Sequence, residues 1–260
     1  MEVVELTEKT LDLYLLCLED WSDEMKEAGD HRRRWYEHAR DEGLRVKLAL
    51  DDSETVGGMI QYGPIETSFA DGHDLHFVYC IWVHGYKEGR GNFQHRGMGT
   101  ALLRAAEEDV RQLGGSGLAV WGVSVPFWMK ASWFRKQGYV KVDRLGMQVL
   151  LWKPFAADAE PPKWIRQRKT PQPVPGQVTV IAFNAGWCQA QNISFERARQ
   201  ASEDFDDRVV FRAVDTSNQE TFLEWGISDG LYIDGKEIRT GPPPSYDKLH
   251  DLIAKRLKRL

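Results

Sequence analysis

Gln94-His95-Arg96-Gly97-Met98-Gly99-Thr100 stands between an apolar run, Leu75-His76-Phe77-Val78-Tyr79-Cys80-Ile81-Trp82-Val83, and a stretch in which Leu103, Ala106, Val110 and Leu113 recur at helical spacing. The apolar run predicts a central strand over 75–83, buried on both faces. The spacing predicts an amphipathic helix over 97–113, with Gly114 placed to end it. Glycines at 97 and 99 leave the main chain open to a ligand. The first N–H groups of a helix lack partners, and the helix dipole adds partial positive charge there. Such a start accepts phosphate or pyrophosphate, and Arg96 adds charge. Two glycines before a helix also describe an ordinary turn, so the surroundings must decide between the readings.

Outward from this segment, strand and helix signals alternate. Strands are expected over 2–6, 45–50, 55–62, 118–121 and 147–151, and helices over 11–18, 23–41 and 127–136. The pattern is that of an α/β (α+β) fold. Six of the eleven prolines, Pro154, Pro161, Pro162, Pro171, Pro173 and Pro175, crowd the stretch before Gly176. Proline fixes φ and cannot donate to a ladder, so 154–176 reads as an extended linker between domains 1–153 and 177–260. Trp164 and Ile165 within it suggest that part of the linker packs. The second domain reads strand 178–183, helix 191–205, strand 209–214 and helix 219–225. A hairpin at Asp234-Gly235 and a last helix capped by Ser245 follow.

The composition excludes several classes. The 260 residues carry a formal net charge of −5, and the excess acid lies wholly in residues 1–155, which hold 19 Lys+Arg against 24 Asp+Glu. That balance gives no general attraction for a phosphate backbone, so no nucleic acid partner is expected. No apolar run reaches the ~18 residues of a membrane span, and Met1-Glu2 opens no secretory pattern. Three cysteines make no disulfide framework. The chain reads as soluble and cytoplasmic. Seven of its ten tryptophans precede the linker.

The segment 94–100 fits Gln/Arg-x-x-Gly-x-Gly/Ala, and with Trp133-Phe134-Arg135-Lys136-Gln137-Gly138-Tyr139 downstream it resembles the GNAT acyltransferases over roughly 1–153. The glycine spacing is not that of a Rossmann loop, and the Gly-Lys-Ser/Thr of a P-loop is absent. The resemblance implies a central mixed sheet and acetyl-CoA as co-substrate, with no metal. It implies that Ile81, Trp82 and Val83 hold the pantetheine arm, and that Gln94, His95, Arg96, Gly97, Met98, Gly99 and Thr100 hold the pyrophosphate. It further implies direct attack of an amine on the thioester, with main-chain N–H near Val83 stabilising the oxyanion.

The sequence departs from the family where the acid should stand. Phe134 occupies the tyrosine position and Phe127 the asparagine position, and the connection 85–93 is longer than usual. Candidates for moving the proton are His84, Cys80, Ser132 and Tyr86. His84 leads because an imidazole titrates near neutrality, and Cys80 follows because it lies on the strand lining the site. Glu19, Asp20, Asp23, Glu24 and Glu27 around Trp21 suggest a pocket for a cationic amine, or simply the wet face of a helix. Trp82, Trp121, Trp128 and Trp133 fall on elements that should wall the acyl pocket, or fill the core.

In the second domain, Trp187-Cys188-Gln189-Ala190-Gln191 after a strand resembles a thioredoxin-like active-site loop. Gln191 replaces the resolving cysteine and Asp229 the usual cis-proline, so no dithiol cycle is expected. The whole arrangement resembles YoaP-type acetyltransferases. The function expected is an acyl-CoA-dependent N-acyltransferase acting on a small-molecule or peptide amine, possible as a homodimer. The alternatives are a non-catalytic coenzyme A- or ligand-binding protein, or a monothiol thioredoxin-like protein that binds a thiol or metalloid through Cys188.

Overall fold

The computed structural model describes residues 1–125 and 128–260. The chain forms two compact units, Met1–Trp21 with Glu37–Ile165 and Ser22–Tyr36 with Arg166–Leu260. In chain order the elements begin with β1 (Glu2–Glu5), α1 (Glu8–Leu15), α2 (Asp23–Lys26) and α3 (His31–Asp41). The boundary at Tyr36/Glu37 falls within α3. Then come β2 (Arg45–Leu50), β3 (Val56–Pro64), β4 (Ala70–Asp71), β5 (Leu75–Val83) and α4 (Met98–Gln112). The first unit closes with β6 (Gly117–Val123), α5 (Ala131–Lys136), β7 (Val140–Leu145), β8 (Gln148–Pro154) and β9 (Lys163–Trp164).

The first unit is built on a seven-stranded mixed sheet of order β1-β2-β3-β5-β6-β8-β7. Only β5 and β6 run parallel; the other pairs are antiparallel. β5 sits centrally, with Phe77, Val78 and Tyr79 buried. Its apolar run from Phe77 to Val83, after His76, follows from cover on both faces. α4 lays Leu102, Leu103, Ala106 and Val110 on the sheet, all buried. Phe134 on α5 is fully buried too.

Pairing between β5 and β6 runs from Leu75↔Gly117 to Val78↔Val120 and stops, although both strands continue. The two strands therefore splay, and the gap is bridged by side chains. The indole N–H of Trp121 donates to the Tyr79 carbonyl at 2.9 Å, and the Ile81 N–H donates to Met129 Sδ at 3.4 Å.

The second unit has β10 (Val178–Asn184), α6 (Gln189–Glu203), β11 (Val209–Asp215), α7 (Gln219–Trp225), β12 (Gly230–Ile233), β13 (Lys236–Ile238) and α8 (Tyr246–Leu257). Its sheet order is β11-β10-β12-β13, with β10 and β11 parallel. β10 alternates between two cores. Val178, Val180 and Ala182 pack with Phe195, Leu249 and Ile253 on one face. Ile181 and Phe183 pack with Ile227 and Tyr232 on the other. The β12–β13 turn has positive φ at both Asp234 and Gly235, as a two-residue turn of the primed kind requires. Ser245 caps α8, accepting from the Lys248 N–H at 3.3 Å.

Several expectations need correction. The charged stretch 23–41 is two helices, parted near Gly29 at φ 64. The helix expected over 11–18 starts earlier, where the Thr7 N–H donates to Thr10 Oγ1 at 3.1 Å. It stops before Cys17 and Leu18, whose left-handed φ values of 53 and 63 cannot continue a helix. β7 was not expected at all. The first unit also runs past residue 153: β8 reaches Pro154, and β9 pairs with β4. Trp164 is buried there, edge-on to Phe77. Among the described residues no helix is long and apolar enough to cross a membrane.

Candidate active site

The end of β5, the loop into α4 and the start of α5 enclose a cleft of about 350 Å³. Ile81, Trp82, Val83, Gln94, His95, Gly97, Met98, Gly99 and Thr100 all line it. Arg96 does not; its guanidinium lies over the Phe93 ring at 5.4 Å. The sequence thus brought nine of its ten proposed coenzyme residues to one place. It missed Phe93, Met129 and Lys130, which also line the cleft. No motif marks those three, because the loop after β6 contributes two of them through its path alone.

Gly97 caps α4 with φ 86, a conformation that favours glycine. A Cβ there would meet nothing within 4 Å, so the space above it is open. The Ala101 N–H is the first in α4 to find a main-chain acceptor, the Gly97 carbonyl at 3.0 Å. The N–H groups of Met98, Gly99 and Thr100 take none among the described residues. Three unpaired donors, an open face and the positive end of a fifteen-residue helix form an anion cradle.

His84 and Cys80 lie off the cleft. His84 is fully buried, and both ring nitrogens are engaged. Nδ1–H donates to the Gly91 carbonyl at 2.7 Å, and Nε2 accepts from the Trp21 indole at 3.2 Å. The Phe93 N–H closes the 85–93 loop on the His84 carbonyl at 2.9 Å. His84 is therefore the post around which that long connection winds. Gly89 sits so close beneath Trp21 that a Cβ would fall 2.0 Å from its ring. Cys80 is buried opposite Gln61 on β3. Tyr86 is half-exposed within the Trp21, Trp82 and His84 aromatic group. Ser132 is exposed on α5.

The acidic group around Trp21 does not form one cage. Asp20 pairs with Arg90 at 3.3 Å. Asp23, Glu24 and Glu27 belong to the second unit, where Glu24 and Glu27 hold Arg197 at 3.0 and 2.8 Å. Trp82, Trp128 and Trp133 line the cleft, whereas Trp121 spans the splay beneath. Phe127 lies outside the described residues. Phe134 lines the cleft with no hydroxyl to offer, so among the described lining residues His95 and Lys130 are the titratable ones.

The family model of the GNAT acetyltransferases matches residues 7–139, which include β5, the cradle and the Trp133–Tyr139 motif. The chain belongs to the GNAT acetyltransferase family. Its first unit carries that family's mixed sheet. Among solved structures it is similar to the PaiA N-acetyltransferase of Thermoplasma acidophilum in complex with coenzyme A, at 17% identity over 59% of this chain and 98% of that one, TM-score 0.44. It is similar to an aminoglycoside 6'-acetyltransferase type Ii at 16% identity, covering 59% and 97%, TM-score 0.44. The ribosomal-protein-alanine N-acetyltransferase of Brucella melitensis is 18% identical, covering 60% and 100%, TM-score 0.42. No curated protein sequence matches the chain. Among the described residues of this GNAT chain, no group of three or more His, Cys, Asp or Glu is placed to hold a metal ion.

Proposed function

We propose that the first unit is an acetyl-CoA-dependent N-acetyltransferase acting on a primary amine of a small molecule or peptide. The observation that carries this reading is the cradle of unpaired N–H groups at the start of α4, set beside the splayed end of β5. In it, Gln94 to Thr100 would hold the pyrophosphate and the main chain of Ile81 to Val83 the pantetheine arm. The neutral amine nitrogen attacks the thioester carbon, the C–S bond breaks, and the nitrogen gives up one proton as the sulfur takes one. With Phe134 at the family tyrosine position, water entering the cleft supplies the proton to sulfur. His95 and Lys130 line the same cleft as polar side chains.

Turnover tests the reading. Full-length protein with acetyl-CoA and a panel of amines should bind acetyl-CoA saturably and release free coenzyme with at least one acceptor. Absence of saturable acetyl-CoA binding would overturn it. Binding without turnover on any acceptor would favour the second reading, a non-catalytic coenzyme-binding protein, which Phe134 supports.

The splay limits the acyl chain. Met129 lines the cleft and reaches across the gap between β5 and β6, which favours a short transferred group. Met129→Ala should admit butyryl. Two added methylenes, at about 0.8 kcal/mol each when buried, amount to about 1.6 kcal/mol, or roughly a 15-fold gain in kcat/KM for butyryl-CoA relative to acetyl-CoA. An unchanged ratio would place the acyl slot elsewhere.

For the second unit we propose a thioredoxin-like fold of YoaP type. A parallel β10–β11 pair, an antiparallel β12–β13 hairpin and helices on both faces support it. Cys188 caps α6 there, with Gln191 three residues on.

A further inference from the structure

The second unit contains a cavity of its own, of about 240 Å³, at the carboxyl ends of the parallel strands β10 and β11. Open α/β sheets bind ligands outside the carboxyl ends of their strands, in the crevice left where the connecting loops part. Asn184 and Asp215 are register partners at the two strand ends and both line the cavity. None of its lining residues belongs to the coenzyme cleft.

Its polar groups carry both signs and are only partly used. Asn184 is 6% exposed; its amide N–H donates to Asn192 at 2.9 Å, while Oδ1 takes no donor among the described residues. Asp215 spends Oδ1 on the Ser217 N–H and hydroxyl, at 3.0 and 2.5 Å, and leaves Oδ2 open. From the other wall comes Arg34, aligned because its Nη2 donates to His31 Nδ1 at 3.0 Å. His31 is itself fixed by donating Nε2–H to Glu196 at 2.7 Å. The Arg34 pair with Asp30 also uses Nη2, so Nε and Nη1 remain without a protein acceptor among the described residues. Phe195 and Trp35 give apolar walls. At about 30 Å³ per water the volume equals roughly eight waters, the size of a free amino acid.

We propose that this cavity binds a small zwitterion, an α-amino acid with an apolar side chain. Its carboxylate meets Arg34, its ammonium meets Asn184 Oδ1 and Asp215 Oδ2, and its side chain lies against Phe195 and Trp35. With Nη2 engaged, a single free N–H of this guanidinium still donates a charge-assisted bond to a carboxylate oxygen. A cation alone would leave Arg34 unused, and an anion alone would face the open Asp215 oxygen.

Calorimetric titration of the full chain, without coenzyme, with glycine, alanine, leucine and phenylalanine tests this. At least one of leucine and phenylalanine should bind saturably and more tightly than glycine. If leucine binds, isoamylamine and 4-methylvalerate, its analogues without carboxylate or amine, should each bind at least about tenfold more weakly. Arg34→Gln, at a side chain 61% exposed, should weaken the amino acid about tenfold while leaving the amine unchanged. Asp215→Asn should keep the Ser217 bonds and weaken both. No saturable binding by any amino acid would overturn the proposal. So would amino acid binding that both variants leave intact, because that site would lie outside this cavity.

Discussion

Gly97→Glu should abolish coenzyme binding in a protein that still folds. Three costs act together, and they can be separated. The φ of 86 at Gly97 lies where a side chain is strained, at about 1–2 kcal/mol. That cost falls on Gly97→Ala as well and reads as a modest loss of stability, because a Cβ there meets no neighbour within 4 Å. Bulk above the cradle comes next, and Gly97→Gln isolates it. Charge costs the most. A carboxylate about 4 Å from a phosphate in near-surface surroundings costs about 4 kcal/mol, roughly a 1000-fold loss of affinity. Calorimetric titration should therefore rank glycine, alanine, glutamine and glutamate in falling order. High salt should recover part of the glutamate loss and none of the glutamine loss. A folded glutamate variant with wild-type affinity would mean the pyrophosphate binds elsewhere.

The prediction is possible from sequence because a phosphate cradle is made of main chain. What it needs from the side chains is their absence, and glycines are legible. β5 was legible for a related reason: burial on both faces leaves no polar residue to interrupt 77–83 before His84. β7 was not, since Val140-Lys141-Val142-Asp143-Arg144-Leu145 lies at a sheet edge with Val140 and Leu145 exposed, and no single period marks it. The role of His84 was hidden for a different reason. Its buried bonds to Trp21 and Gly91 depend on where 17–21 and 85–93 travel, and that path is not a local property of the chain. The same holds for Met129, since nothing in Trp128-Met129-Lys130 announces a thioether beneath the Ile81 N–H. The acidic residues near Trp21 are close in sequence, but the chain passes between units at Trp21/Ser22 and divides them.

Asp229→Asn should change how the stability of the second unit depends on pH. Asp229 precedes β12 and holds the loop before Cys188 at two points. Its Oδ1 accepts the Ala185 N–H at 3.1 Å, and its Oδ2 accepts the Trp187 indole N–H at 3.0 Å. Burial outweighs these bonds and raises its pKa from 3.8 to about 6. The folded unit consequently binds more protons than the unfolded chain between about pH 4 and 6. By linkage, the stabilising effect of protonation is complete below about pH 4 and lost as pH rises through 6. A shift of this size corresponds to about 3 kcal/mol, and partial exposure of the residue reduces it to about 1–3 kcal/mol. Asparagine carries no charge at any of these pH values. It keeps an acceptor for Ala185 but turns a donor toward Trp187, a constant loss of about 1 kcal/mol. The two proteins should therefore differ in slope rather than merely in offset. Relative to the variant, wild type should lose about 1–3 kcal/mol between pH 4 and pH 7. Urea-dependent hydrogen exchange at β10 amides confines the reading to this unit. Parallel pH profiles would mean that the Asp229 carboxyl titrates in the ordinary range, and that its two bonds fully offset its burial.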